Sequence, residues 1–170
     1  MALRALLADC FRLRIHTEKR EMPVYALVVA REGRLGPDMK SSIHNCVQFF
    51  KSRAGNPDLQ EPRDDSGRLL CRTGIEFNTP AAGAQTMSYA SDLAFLTMRL
   101  QTFLDRPVID ATGLEGSFEW RLSWSARTDI DAPASAFAPA LQQQLGLRLE
   151  RRTAPWDVLV IESVSMPSPN

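Results

Sequence analysis

The sequence predicts an α+β fold in which small antiparallel-rich or mixed sheets pack against helices. The main observation is a repeated helix-strand-strand unit, found over residues 6–29 and again over residues 141–161. A second observation is the strict alternation of apolar side chains over residues 117–124, which is typical of a half-buried strand. We expect one compact domain made of an N-terminal unit (1–36), an irregular segment (37–82), a longer unit (83–165) and a tail (166–170).

The N-terminal unit begins with a helix over residues 2–9, where leucines three and four positions apart form one apolar stripe. Alternating residues 11–16 predict a half-buried strand, and the polar residues 17–21 predict a turn. Pro23 then opens a second strand. Residues 25–30 are apolar on both faces, which favours a central position in a sheet.

The segment 37–82 has the weakest pattern in the chain. Residues 53–67 are rich in Asp, Arg, Pro and Gly, which indicates an exposed loop. Residues 43–50 contain several apolar side chains and predict a short helix or strand that packs against this loop.

The unit over residues 83–165 is predicted as strand, helix, two strands, helix and two strands. Asp92 is a favourable N-cap for the first of these helices. Gly113 and Gly116 can adopt the positive φ of a tight turn before the next strand. Gly146 follows the second helix, at the position where many helices end on glycine.

The aromatic residues of strand 117–124 allow two interpretations. The stripe is the core beneath a helix, which is the commoner case, or it is a platform for a glycan or peptide. If any aromatic residues are exposed contacts, we expect them to be Trp124, at the end of the strand, and Trp156, beside a turn.

The composition disfavours several classes of partner. Twenty basic and twenty acidic residues give a formal net charge of zero, whereas nucleic-acid binding needs a basic face. The apolar runs are too short to cross a membrane, so we expect no direct membrane insertion. The first residues lack the pattern of a signal peptide.

No arrangement of side chains predicts catalysis, a metal site or a cofactor. Two histidines and three cysteines without a CxxC pair are a poor zinc ligand set. His44 and Cys46 lie two residues apart, but no third group is evident to orient such a pair. His16 lies on the polar side of a strand end. The carboxylates near the Gly113 turn have the pattern of backbone caps; they are Asp105, Asp110 and Glu115.

The order of elements over residues 83–162 resembles the short N-terminal domains of secretins and TonB-dependent receptors. In those domains two helices pack on small sheets, and the surface mediates protein contacts in the cell envelope. The resemblance implies a similar fold for this part of the chain.

A second resemblance rests on LLAD at residues 6–9, FRLRIH at 11–16 and RPVIDATGLEGSF at 106–118. These motifs resemble an uncharacterised family abundant in soil acidobacteria. Its members are typically secreted or attached to the periplasmic side of BlaR-type sensor metallopeptidases, which implies a periplasmic or secreted location. The family normally continues upstream with another strand and helix, so we expect the first unit to pair with the second half or with another chain.

Spacing alone leaves open whether Cys46 and Cys71 are bonded to each other. Both fall where members of this family often carry a cysteine pair, so the resemblance implies a disulfide.

These observations predict a non-enzymatic protein-interaction or sensory module of the bacterial cell envelope. A protein partner or a second copy would bind through a sheet edge. The alternative is a small-molecule or glycan-binding domain that uses the aromatic face.

Overall fold

The computed structural model describes residues 2–65, 67, 69–71, 76–78, 84–125 and 133–166. Its helices are α1 (Ala2–Phe11), α2 (Cys46–Arg53), α3 (Leu93–Gln101) and α4 (Pro133–Ala140), which continues as a π-helical turn (Leu141–Leu145). Its strands are β1 (Arg14–Val29), β2 (Met39–Ser42), β3 (Glu76–Asn78), β4 (Ala84–Ser91), β5 (Val108–Asp110), β6 (Ser117–Ser125) and β7 (Leu147–Ser163). The predicted α+β class is therefore confirmed.

The described strands form two sheets, one with the order β5-β1-β7 and one with the order β2-β6-β4-β3. The second sheet is antiparallel, and Tyr89 lies opposite Trp120 where β4 pairs with β6. In the first sheet β5 runs parallel to β1, with Val108 opposite Tyr25. Residues 24–28 of β1 are buried, as expected for a central strand.

The pair of strands predicted in each copy of the repeat is wrong, because each of these pairs is one long strand, whereas the pair predicted between the two helices of the longer unit is confirmed as β5 and β6. β1 passes through residues 17–21 and β7 passes through residues 150–153 without a turn. Neither stretch contains the Gly, Pro, Asn or Asp that tight turns favour. Instead their opposite charges lie two residues apart, on one face of an extended strand, as in the ion pair of Glu18 with Arg20.

The two copies of the repeat also belong to one sheet, because β1 is the neighbour of β7. The chain divides into two compact units. The smaller contains Met1–Pro23 and Thr153–Asn170, and the larger contains Val24–Arg152. The division falls inside β1 and β7, so it differs from the boundaries at 36, 82 and 165 that the sequence suggested.

The core of the larger unit is built on one face of β6. The alternation predicted for this strand is confirmed, since each side chain on that face is at most 7% exposed: Phe118, Trp120, Leu122 and Trp124. Helix α3 contributes Leu96 and Leu100, both fully buried. Asp92 caps α3 as predicted, because its carboxylate accepts a hydrogen bond of 2.9 Å from the Phe95 backbone N–H.

Trp124 is buried, so the expectation that it is an exposed contact is wrong. Its ring lies 4.9 Å from the Phe137 ring and 5.5 Å from the Phe103 ring, measured between centroids. Phe137 belongs to α4 and Phe103 follows α3, so both helical segments cover the end of β6. The sequence did not reveal which elements would close over that strand end.

Segment 37–82 contains β2, α2 and β3, and the apolar residues near Phe49 form helix α2. Asn45 caps this helix by accepting hydrogen bonds from two backbone N–H groups. Cys46, the first residue of α2, is joined to Cys71 by a disulfide with a Cα–Cα distance of 5.1 Å. Both cysteines are buried, so the bond ties α2 to the chain that follows the polar loop.

Candidate interaction surface

The residues that suggested nucleophilic chemistry have structural roles. Cys46 is committed to the disulfide with Cys71 and offers no thiolate to a neighbouring histidine. The His44 backbone N–H donates a hydrogen bond of 3.0 Å to the Ser42 hydroxyl oxygen. The structure therefore provides no Cys-His pair at this position.

The carboxylates near the Gly113 turn do not form an acid-base pair either. Asp110 accepts hydrogen bonds from the Thr112 backbone N–H at 3.0 Å and from the Thr112 hydroxyl at 2.8 Å. Asp105 lies 3.3 Å from the Arg106 guanidinium. Gly113 and Gly116 have φ values of 69° and 92°, which confirms the predicted positive-φ turn. Asp110 therefore holds the turn by accepting from a backbone N–H, as the sequence predicted, whereas Asp105 forms an ion pair with its neighbour.

The smaller unit consists of α1 and a ribbon made of the outer parts of β1 and β7. The Ser165 backbone N–H donates a hydrogen bond of 2.8 Å to the Phe11 carbonyl. Glu162 contacts His16 at 2.7 Å, and Asp157 lies 3.9 Å from Lys19. As residue numbers rise on β1 they fall on β7, so the two strands of the ribbon are antiparallel.

Polar side chains of β1 contact one another and the acids of β7. The His16 ring contacts Glu162 on one side and Glu18 at 3.5 Å on the other. Glu18 also pairs with Arg20. The hydrogen bond from Arg20, followed by that from His16, lowers the pKa of Glu18 below its ordinary value of 4.5.

The substitution Arg20→Gln should therefore raise the pKa of Glu18 toward 4.5. Because the folded-state pKa is lowered, the stabilisation from Glu18 is present above pH 4.5 and is lost as the pH falls through the lowered value. Carboxyl NMR titration of the full chain measures this shift. Lys19→Gln is the matched control, since Lys19 contacts Asp157, and it should leave the Glu18 titration unchanged.

Large apolar side chains are exposed on the same unit. On β7, Leu159 and Ile161 are 57% and 61% exposed, and they share one face because they are two residues apart. Val164 and Met166 continue this exposed apolar segment beyond the strand, and Leu6 of α1 is also exposed. Trp156 is half-buried, which agrees with the partial exposure expected for it.

The two edges of the ribbon differ in chemistry. Among the described strands β7 pairs only with β1, and the edge of β7 away from β1, which none of them covers, is here called the open edge. Residues 14–21 of β1 are mostly charged, which is a common protection of an exposed edge. Residues 153–163 of β7 are mostly apolar or β-branched, with only Asp157 and Glu162 charged. The β7 edge is therefore the less protected of the two.

The sequence did not identify these apolar residues as a surface. Residues 158–161 are apolar on both faces, like the buried residues 25–28 of β1, and the same pattern favours a central strand. Pro155 is the residue that could have indicated an edge strand here, because proline within sheets is confined to edge strands, strand starts and bulges.

No helix in the described part of the chain combines the length and the apolar character needed to cross a bilayer. No curated protein and no solved structure matches the chain. One family model, described as "Protein of unknown function (DUF3738)", matches residues 1–164. That match covers almost the whole sequence, so the chain belongs to the DUF3738 family of proteins of unknown function.

Proposed function

We propose that the protein is a non-enzymatic interaction module that binds an extended segment of a partner protein along the open edge of β7. The observation that carries this proposal is the exposed apolar pair Leu159 and Ile161 on an edge strand. A monomeric protein usually protects such an edge with charge, as β1 does here.

The physical basis is strand addition. Alternate residues of an edge strand direct their backbone N–H and C=O groups away from the sheet, where an extended peptide can pair with them. Covering Leu159 and Ile161, each about 60% exposed, would add about 1–2 kcal/mol per side chain. These contributions suit a weak or transient complex of the kind that signalling proteins use.

The chemistry of the edge defines the partner. Asp157 and Glu162 are the only charges on residues 153–163, and both already contact side chains of β1, so a matching segment is mainly apolar and β-branched. Such a segment would pair with the backbone of β7 and place its own apolar side chains beside Leu159 and Ile161.

We further propose that the module acts in the bacterial cell envelope, in a sensory or assembly role. The Cys46–Cys71 disulfide supports this location, because structural disulfides persist in oxidising compartments. The acidobacterial origin, the link to BlaR-type sensors and the similarity to secretin domains belong to the same proposal. Its non-enzymatic character is supported by Cys46 and Asp110, whose side chains serve the fold.

The test uses a synthetic heptapeptide of alternating valine and threonine with lysine at both ends. Titrated into the isotope-labelled full chain, it should produce saturable amide shifts within residues 153–163. A peptide of the same sequence with every backbone nitrogen methylated cannot donate the pairing hydrogen bonds and should not bind. Equal binding of both peptides, or shifts confined to the larger unit, would contradict the proposal.

A further inference from the structure

A cleft lies within the larger unit, between the loop after β1 and the end of α4. Its volume is about 830 Å³, which is within the range of small-ligand sites. One wall is the loop after β1 and the other is the end of α4 with its π-helical turn. The side chains that matter for its chemistry are Arg31, Arg34, Leu35, Pro139, Gln142 and Gln143.

The floor of the cleft is a close backbone contact between two glycines. A Cβ on Gly36 would lie 2.2 Å from the Gln144 carbonyl oxygen, and a Cβ on Gly146 would lie 2.6 Å from the Gly36 nitrogen. The Ala30 N–H donates to the Gly146 carbonyl at 2.8 Å, and the Asp38 N–H donates to the Gln144 carbonyl at 2.9 Å. The loop after β1 is thereby fixed against the end of the helix.

The π-helical turn decides which glutamines face the cleft. Leu141 and Leu145 are fully buried and anchor the turn in the core. The Gln144 amide makes two hydrogen bonds to the backbone of Ser123, at 2.7 and 2.8 Å, so its side chain serves the fold. Gln142 and Gln143 remain exposed along the wall of the cleft. Such π-helical turns occur frequently at functional sites.

The charge of the cleft is entirely positive. Arg31 and Arg34 line it, and no acidic residue is among its described lining residues. Glu32 lies between the two arginines in sequence but does not line the cleft. Every described ion pair of the chain involves other cations, so both guanidinium groups are available to an anion.

We propose that this cleft binds the carboxyl terminus of a short peptide with small side chains. A guanidinium group matches the two oxygens of a carboxylate in a bidentate pair. The Gln142 and Gln143 side-chain amides can donate hydrogen bonds to a peptide C=O and accept them from a peptide N–H next to the carboxylate. Leu35 and Pro139 provide apolar surface for a small side chain.

The experiment titrates the isotope-labelled full chain with N-acetyl-alanyl-alanine. The acid should shift the amide signals of Gly36, Gln142 and Gly146 in a saturable way. The same dipeptide with a C-terminal amide should bind at least about tenfold more weakly, since it cannot form the bidentate pair. The double variant R31Q/R34Q should bind N-acetyl-alanyl-alanine at least about tenfold more weakly than the parent chain does.

The control double variant R14Q/R151Q removes two exposed arginines that lie outside the cleft and should keep the affinity of the parent chain. Thermal unfolding of both variants checks that they are folded. Equal binding of the acid and the amide would overturn the proposal, and so would full affinity in R31Q/R34Q. Inorganic phosphate producing the same shifts with the same affinity would show an unselective anion site and would also overturn it.

Discussion

Reduction of the Cys46–Cys71 disulfide is expected to lower the free energy of unfolding by about 3.5 kcal/mol. The bond closes a loop with a sequence separation of 25 residues, and loop closure of this length removes that much conformational entropy from the unfolded chain. The described residues of segment 53–67 within the loop are mostly exposed and add little core of their own. Urea unfolding with and without reductant measures the difference.

Two variants control the disulfide experiment. The double variant C46A/C71A should be destabilised to a similar degree and should no longer respond to reductant. The variant C10A should keep the response of the parent chain, because Cys10 is a free, exposed cysteine. A parent chain whose stability does not change on reduction would show that the bond does not constrain the fold.

Replacing Leu159 and Ile161 by lysine is expected to weaken binding of the valine-threonine heptapeptide by at least about tenfold, which corresponds to about 1.4 kcal/mol. The change removes the exposed apolar pair and places charges on the open edge, as β1 already does. The side chains are more than half exposed, so the fold should keep its stability. Peptide titration of the variant L159K/I161K measures the loss.

The matched control is I43K. Ile43 is 96% exposed and lies in the larger unit, so its replacement removes a comparable apolar side chain from a different surface. It should leave peptide affinity unchanged. If I43K weakened binding as much as L159K/I161K did, general surface hydrophobicity would explain the interaction better than the β7 edge.

The sequence predicted those elements whose determinants are local. The alternation of β6, the Asp92 cap of α3 and the positive-φ glycines near residue 113 are short-range features, and the structure contains each of them. The turn predicted at residues 17–21 is wrong for a local reason too. The polar composition of this run predicts a turn, but the run lacks turn-forming residues and its opposite charges, two residues apart, fit an extended strand.

The features that the sequence did not predict, such as the burial of Trp124 and the edge position of β7, depend on tertiary context. The position of Trp124 at the end of its strand does not reveal which side chains cover it, and in the structure the rings of Phe103 and Phe137 pack against it. Residues 158–161 have the pattern of a central strand, yet no described strand lies beyond β7. Edge position is a property of the whole sheet, so alternation within a single strand does not determine it.

Amide hydrogen exchange of β7 tests the central claim most directly. In the free chain, the N–H groups on the open edge of residues 153–163 should exchange rapidly, because no described strand pairs with that edge. Addition of the heptapeptide should slow their exchange, while the buried residues 24–28 of β1 should exchange as before. Unchanged exchange along residues 153–163 at a saturating peptide concentration would contradict strand addition at this edge.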